Sequence, residues 1–131
     1  MKRIERAALD SSAVILYFRG QPAAVELFAG IQEIYLPLIA VGELYLGLER
    51  SENKLRRTRE LNELLSQANL LQPDFQTAKL YAQIKAKLLA AGTPIPDNDI
   101  WIAALARQAN LPLAARDEHF EFVEGLEIIP L

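Results

Sequence analysis

The chain has 131 residues, 51% of them hydrophobic and 24% charged, with a formal net charge of −3; that suits one domain around one sizeable core and argues against a broadly basic coat for nucleic acid. With no cysteine and one histidine, His119, disulfides, thiolate zinc and His-rich metal sites are excluded, and a histidine-based catalytic apparatus is hard to build; a reducing cytoplasm fits. No apolar run reaches the roughly 18–20 residues of a membrane span, and Met1-Lys2-Arg3-Ile4-Glu5-Arg6 is not followed by the apolar stretch of a secretory signal.

In chain order, Arg6-Ala7-Ala8-Leu9 reads as a short buried strand ending on the carboxylate of Asp10. Residues 12–18 read as a helix with Ser11 or Ser12 available as its cap, and Gly20 ends it. Pro22 opens a second short helix, 23–29, closed by Gly30. Glu33-Ile34-Tyr35-Leu36 is the next strand, and beyond Pro37 the spacing of Val41, Leu44, Tyr45 and Leu48 predicts a helix over 38–50. Residues 53–67 read as a helix with Leu55, Leu61, Leu64 and Leu65 on the sticky side and Lys54, Arg56, Arg57 and Arg59 outside. Asn69-Leu70-Leu71 is a short strand, and Pro73 and Asp74 start a long helix that runs to about Ala91 and stops at Gly92. Pro94-Ile95-Pro96 leads into a helix over 98–109, for which Asp97 or Asn98 is the expected cap. Leu111 to Ala115 is a strand, Asp117 to Val123 a short helix or turn, and 126–129 the last strand. Short apolar strands alternating with helices predict a parallel sheet with helices on both faces, in one α/β domain spanning residues 1–131.

In open parallel sheets, ligands bind beyond the carboxyl ends of the strands. Asp10 ends the first strand, Asp117 follows the strand at 111–115, Asp99 opens a helix entered through the proline-bounded segment, and Glu43 lies in a helix that starts just past a strand end. Each has an ordinary structural explanation taken singly: a turn after the strand for Asp10, an exposed helix face for Glu43, helix N-terminal charge for Asp99 and a cap for Asp117. Together they place four carboxylates at one rim of the sheet, where a cation is the physical remedy for their repulsion. Oxygen ligands without Cys or His suit a hard ion, Mg²⁺ or Mn²⁺, and such ions serve phosphodiester hydrolysis.

These residues resemble the pattern of PIN-domain proteins, in particular the VapC-type toxins of toxin–antitoxin pairs, along nearly the whole chain. Leu9-Asp10-Ser11-Ser12 resembles the family's opening motif. Val41-Gly42-Glu43-Leu44-Tyr45-Leu46-Gly47 resembles its Glu-Leu-x-x-Gly helix. Ile95 to Ala104 resembles its most diagnostic segment, and Ala115-Arg116-Asp117-Glu118-His119-Phe120 its Thr-x-Asp-x-x-Phe ending. The resemblance implies a three-layer α/β/α sandwich with a central, mostly parallel sheet of four to five strands. It implies a Mg²⁺- or Mn²⁺-dependent ribonuclease with Asp10, Glu43, Asp99 and Asp117 as the acidic cluster. It also implies frequent homodimers and inhibition by a cognate antitoxin. Ala115 departs from the pattern, which has Thr or Ser there. The missing hydroxyl implies slower chemistry, or Ser11 or Ser12 in its place.

In the mechanism this suggests, Asp10, Asp99 and Glu43 form the inner cluster and Asp117 is peripheral, Ser11 orients a water, and Arg116 contacts a phosphate of the RNA. Asp97 is read as a cap, His119 as a surface or packing residue and Trp101 as core. The 54–59 basic cluster is read as a solvated helix face balanced by Glu52, Glu60 and Glu63. The leucine-rich helices 38–50 and 53–67 suit a groove for an amphipathic antitoxin segment. Two rivals stand beside this reading: an α/β enzyme in which Asp10 is a phosphoacceptor, and a catalytically weak or inactive PIN-like domain that binds protein or RNA.

Overall fold

The structure is a computed structural model that describes residues 3–131. Met1 and Lys2, which begin the stretch weighed as a secretory leader, lie outside the described residues. Five strands form one sheet in the order β3-β2-β1-β4-β5, and every neighbouring pair is parallel. They are β1 (Ile4–Leu9), β2 (Ile31–Pro37), β3 (Asn69–Leu71), β4 (Leu113–Ala115) and β5 (Ile128–Pro130). Six α-helices intervene: α1 (Ser11–Phe18), α2 (Pro22–Gly30), α3 (Leu38–Glu49), α4 (Lys54–Gln67), α5 (Phe75–Ala91) and α6 (Asp97–Gln108). A 3-10 helix, Glu118–Phe122, links β4 to β5.

The second half of β1 and all of β4 are apolar and buried, because both faces of the sheet are covered there. Side chains alternate along a strand, so Ala8 of β1 joins Leu113 and Ala115 of β4 in one core, with Ile84 and Leu88 of α5 and Ile100, Ala103 and Ala104 of α6. Ala7 and Leu9 join Ala114 in the other, with Val14 of α1, Phe28 of α2 and Leu61 and Leu64 of α4. Helix α3 contributes to both, through Ala40 on one side and Val41 and Leu44 on the other. This is the expected α/β/α sandwich, with the sheet parallel throughout.

Several boundaries differ from the expected ones. β1 begins at Ile4 and β2 at Ile31, because Ile4 pairs with Ile31 and Arg6 with Glu33, extending the ladder past the apolar runs. Leu111 is buried but lies outside β4: Asn110 takes a left-handed turn (φ 55°) and the Leu111 amide closes α6 by donating to the Ala106 carbonyl at 2.9 Å. β5 runs one to two residues later than expected, its register set by Leu113 opposite Ile128.

The strand order gives the sheet its functional geometry. The chain builds outward from β1 through β2 to β3, then crosses to the other side of β1 to lay down β4 and β5. Connections from β1 and β4 therefore depart in opposite directions, leaving a crevice at their carboxyl ends. Asp10 directly follows β1, and Arg116-Asp117 directly follows β4.

Candidate metal centre

Asp10 is placed by two strands. Its amide donates to the Ala114 carbonyl of β4 at 2.9 Å. Its carboxylate, 2% exposed, caps α1 by accepting from the Ser12 amide at 3.3 Å. Asp10 is thus the α1 cap that the sequence assigned to Ser11 or Ser12, because a strand-end residue in extended conformation leaves its side chain free to reach the first turn. Ser12 Oγ donates to the same oxygen, Oδ2, at 2.7 Å, and accepts from the Arg116 amide at 3.1 Å. One hydroxyl so ties the ends of β1 and β4 together beside Ala115. The second Asp10 oxygen, Oδ1, is buried with no hydrogen-bond partner among the described residues. A buried carboxylate oxygen left in that state is costly without a cation to receive it.

Asp99 lies in the first turn of α6 and is 7% exposed. Pro96 holds the extended approach (φ −58°, ψ 143°), and its carbonyl accepts from the Asp99 amide at 3.0 Å. Ile95, buried, anchors the segment in the core. Asp117 is exposed on the turn after β4, and Glu43 is half-buried on α3, where Ser11 Oγ donates to its Oε1 at 3.0 Å.

The electrostatics join the four acids. Burial pushes the Asp99 carboxyl up to about 6, and the charges of Asp10, Asp117 and Glu43 push the same way. Burial also raises Asp10, with Asp117 adding to the effect against the hydrogen bonds from Ser12. Glu43 is raised by burial and by Asp10 and Asp117, against the hydrogen bond from Ser11. No Lys or Arg forms an ion pair with any of them among the described residues. The orphaned oxygen and four like charges in mutual reach fit a divalent cation held by carboxylates.

Among the described residues, the group whose ligand atoms come close together is not the expected four acids but Asp99 and Asp117 with His119; Asp10 and Glu43 lie outside it. His119, expected as a surface or packing residue, places Nδ1 3.2 Å from Asp99 Oδ2. Asp99, Asp117 and His119 each offer a ligand atom within 4.8 Å of the others. Spacing gave no warning, since 20 residues separate His119 from Asp99. The available signal was Phe120, whose full burial pins the 3-10 helix against the core and turns its neighbour to the rim.

Other expectations change. Asp97 does not cap α6: the cap position is Pro96, with no side-chain bond, and Asp97 instead accepts from Lys85 Nζ at 2.8 Å and Tyr81 Oη at 3.0 Å. Those α5 donors hold its carboxyl below the usual range, and Asp97 stays outside the acid cluster. Ser11, expected to orient a water, donates to Glu43. Trp101 is half-buried, stacked on Tyr81 with centroids 4.3 Å apart. The basic face of α4 is balanced by Glu49 and Glu60, with Lys54 3.0 Å from Glu49 and Arg57 3.2 Å from Glu60. Arg116 is exposed, its amide committed to Ser12. A groove of about 300 Å³ lies between α1, α3 and α4, lined by Ile15, Phe18, Leu44, Leu48 and Leu61 and bordered by Glu43, Arg19 and Arg57.

The PIN domain family model matches residues 7–126, from β1 to just short of β5. The chain belongs to the PIN-domain family. Similar PIN relatives include Ribonuclease VapC2 of Haemophilus influenzae, 32% identical over 90% of this chain and 92% of that one. Ribonuclease VapC5 of Mycobacterium tuberculosis is 29% identical over 89% of this chain and 87% of its own. Among solved structures, DNA-bound VapBC from Salmonella typhimurium has a chain that matches this PIN fold with a TM-score of 0.85 at 25% identity, covering 97% of this chain and 98% of that one.

Proposed function

We propose that this chain is a divalent-metal-dependent endoribonuclease and the toxin of a VapC-type toxin–antitoxin pair. The observation that carries the reading is the buried Asp10 carboxylate, with one oxygen unpartnered, in electrostatic reach of Glu43, Asp99 and Asp117. The ribonuclease names of its relatives supply the reaction class. Asp10, Asp99, Glu43 and Asp117 are the residues that would hold Mg²⁺ or Mn²⁺. The bound ion supplies Lewis acidity toward the phosphodiester and the attacking water.

The chain's own groups do the rest. Ser12 fixes the Asp10 carboxylate while holding β4 beside β1. Ser11 fixes Glu43, and one of the four carboxylates would take the proton of the attacking water as its oxygen bonds to phosphorus and the P–O bond to the leaving ribose oxygen breaks. Arg116, exposed beside Asp117, is our candidate for contact with a phosphate of the RNA. Ser12 also bears on the departure at Ala115: its hydroxyl lies in hydrogen-bond contact with both Asp10 and the Arg116 amide.

The groove beside Glu43 is where a helical segment of the cognate antitoxin docks, a reading supported by its apolar lining and by the charged residues Glu43, Arg19 and Arg57 along its border. We take the molecule to act in the cytoplasm as one PIN-like domain spanning residues 1–131; no helix among the described residues is long and apolar enough to cross a membrane. A homodimer draws on exposed apolar residues such as Leu70 on the edge strand β3 and Phe75 at the start of α5.

The test pairs calorimetric Mn²⁺ titration with cleavage-site mapping on total RNA. Wild type should bind Mn²⁺ and cut; Asp10→Asn and Asp99→Asn should each weaken binding at least tenfold, the scale on which lost ligand interactions act, and abolish cutting. Wild type that neither binds Mn²⁺ nor differs from the variants sinks the proposal.

A further inference from the structure

His119 brings the only nitrogen donor to a cluster otherwise made of oxygen. Its Nδ1 lies 3.2 Å from Asp99 Oδ2, and ligand atoms of Asp99, Asp117 and His119 fall within 4.8 Å of one another. Around a six-coordinate ion with bonds of about 2.1 Å, neighbouring donors stand about 3 Å apart and opposite ones about 4 Å. The His119–Asp99 separation is already that of two neighbouring donors, and the triad needs only a small closure. A second observation stands beside it: Asp10, 2% exposed, at the end of the strand next to the one that Asp117 follows, has a carboxylate oxygen with no hydrogen-bond partner among the described residues, although it lies outside the triad itself. The imidazole is steadily presented, because Phe120 beside it is fully buried and the Val123 amide bonds the Phe120 carbonyl at 3.1 Å.

We infer that His119 is a direct ligand of the cation held by Asp99 and Asp117, and that this mixed nitrogen and oxygen donor set makes the site select Mn²⁺ over Mg²⁺. The inference rests on the proposal that the acids form a divalent-cation site. Its chemical ground is that imidazole suits first-row transition ions, whereas Mg²⁺ takes oxygen ligands and keeps its waters. The competing role for the ring is to donate a hydrogen bond to Asp99 and orient that carboxylate from outside the ion's shell. The two roles differ in what the metal senses: a ligand places ¹⁴N against the ion, and an orienting residue does not.

The full-length chain is loaded with Mn²⁺ and examined by electron spin-echo envelope modulation, with Mn²⁺ and Mg²⁺ affinities measured alongside. Wild type should show modulation from a directly bound ¹⁴N, and His119→Gln should lose it. That variant should weaken Mn²⁺ binding roughly tenfold and Mg²⁺ binding less than about threefold, so that selectivity collapses. Bound Mn²⁺ without ¹⁴N modulation overturns the inference, as does a His119→Gln variant that weakens both ions equally. Asp10→Asn separates the layers: if it abolishes Mn²⁺ binding while His119→Gln changes nothing, the ligand assignment fails and the metal site stands. If wild type binds no Mn²⁺ at all, both fail.

Discussion

Asp10 and Asp99 occupy positions where an ordinary protein would place neutral or paired groups. Both are buried and both carboxyls hold protons more tightly than in the unfolded chain, Asp99 up to about 6. A carboxyl whose folded affinity for protons exceeds its unfolded one makes the folded state bind more protons in the interval between the two. Stability therefore falls as pH rises through that interval. For Asp99 the interval runs from the ordinary 3.8 to about 6. The metal-free protein should thus be more stable at pH 5 than at pH 7.5, with Asp99 alone accounting for on the order of 1 kcal/mol between the two. Urea titrations of the chelator-treated protein at the two pH values measure this. Asp99→Asn should flatten the difference and raise metal-free stability at pH 7.5. A wild type that gains stability from pH 5 to 7.5 without metal would contradict the electrostatic picture of the cluster.

Helices α5 and α6 form a unit whose far end is built quite differently from its acidic start. Thr77, fully buried, accepts from the Asp74 amide at 2.9 Å, while its own amide donates to Asp74 Oδ1 at 3.1 Å, a reciprocal cap on α5. Gln108, at the end of α6, donates to the same Asp74 oxygen at 2.9 Å and so binds the start of one helix to the end of the other. Thr77→Val keeps the shape and removes the hydroxyl. It should cost about 1–2 kcal/mol in denaturant unfolding and leave Mn²⁺ affinity unchanged, because Asp99 lies at the opposite end of α6. Loss of Mn²⁺ binding in this variant would mean that the site depends on the whole helix pair rather than on its rim. The contrast between the two ends also separates what the sequence made legible from what it did not. Asp10 after Leu9, and Asp99 after Pro94-Ile95-Pro96, were readable because each sits at a boundary that local chemistry sets: a strand end, or a proline-fixed helix entry. Asp97 was misread as a cap because its partners, Lys85 and Tyr81, come from another helix. Ser12 and Arg116 meet across 104 residues, and His119 reaches Asp99 only through the burial of Phe120. No local pattern encodes either meeting; sheet order does.

At the scale of the whole molecule, the site and the groove share a wall. Glu43 borders both: it belongs to the acid cluster through its coupling to Asp10 and Asp117, and it lines the cleft between α1, α3 and α4. Ile15, 38% exposed, is the apolar residue of that cleft most open to solvent among those with Phe18, Leu44, Leu48 and Leu61. An amphipathic segment seated there would cover apolar surface and reach the edge of the acidic rim at once, so binding and inhibition follow from one contact. Arg19 along the cleft favours an acidic residue on the polar side of that segment, whereas Arg57 is already paired with Glu60. Ile15→Asp places a carboxylate in the docking face and opposes both the apolar and the charge complementarity. It should weaken inhibition by the cognate antitoxin at least tenfold: even with Arg19 close by, docking an apolar face over the new carboxylate strips its water, which costs more than the 1.4 kcal/mol that a tenfold change requires. Mn²⁺ affinity should stay within about twofold of wild type, as no direct ligand is altered. Leu89→Asp is the matched control: Leu89 is 60% exposed, on α5, whose buried residues pack in the opposite core. Inhibition titrations of RNA cleavage against the antitoxin decide the matter. If Leu89→Asp relieves inhibition and Ile15→Asp does not, the partner covers the α5 side of the sandwich and the shared wall at Glu43 has no part in silencing the enzyme.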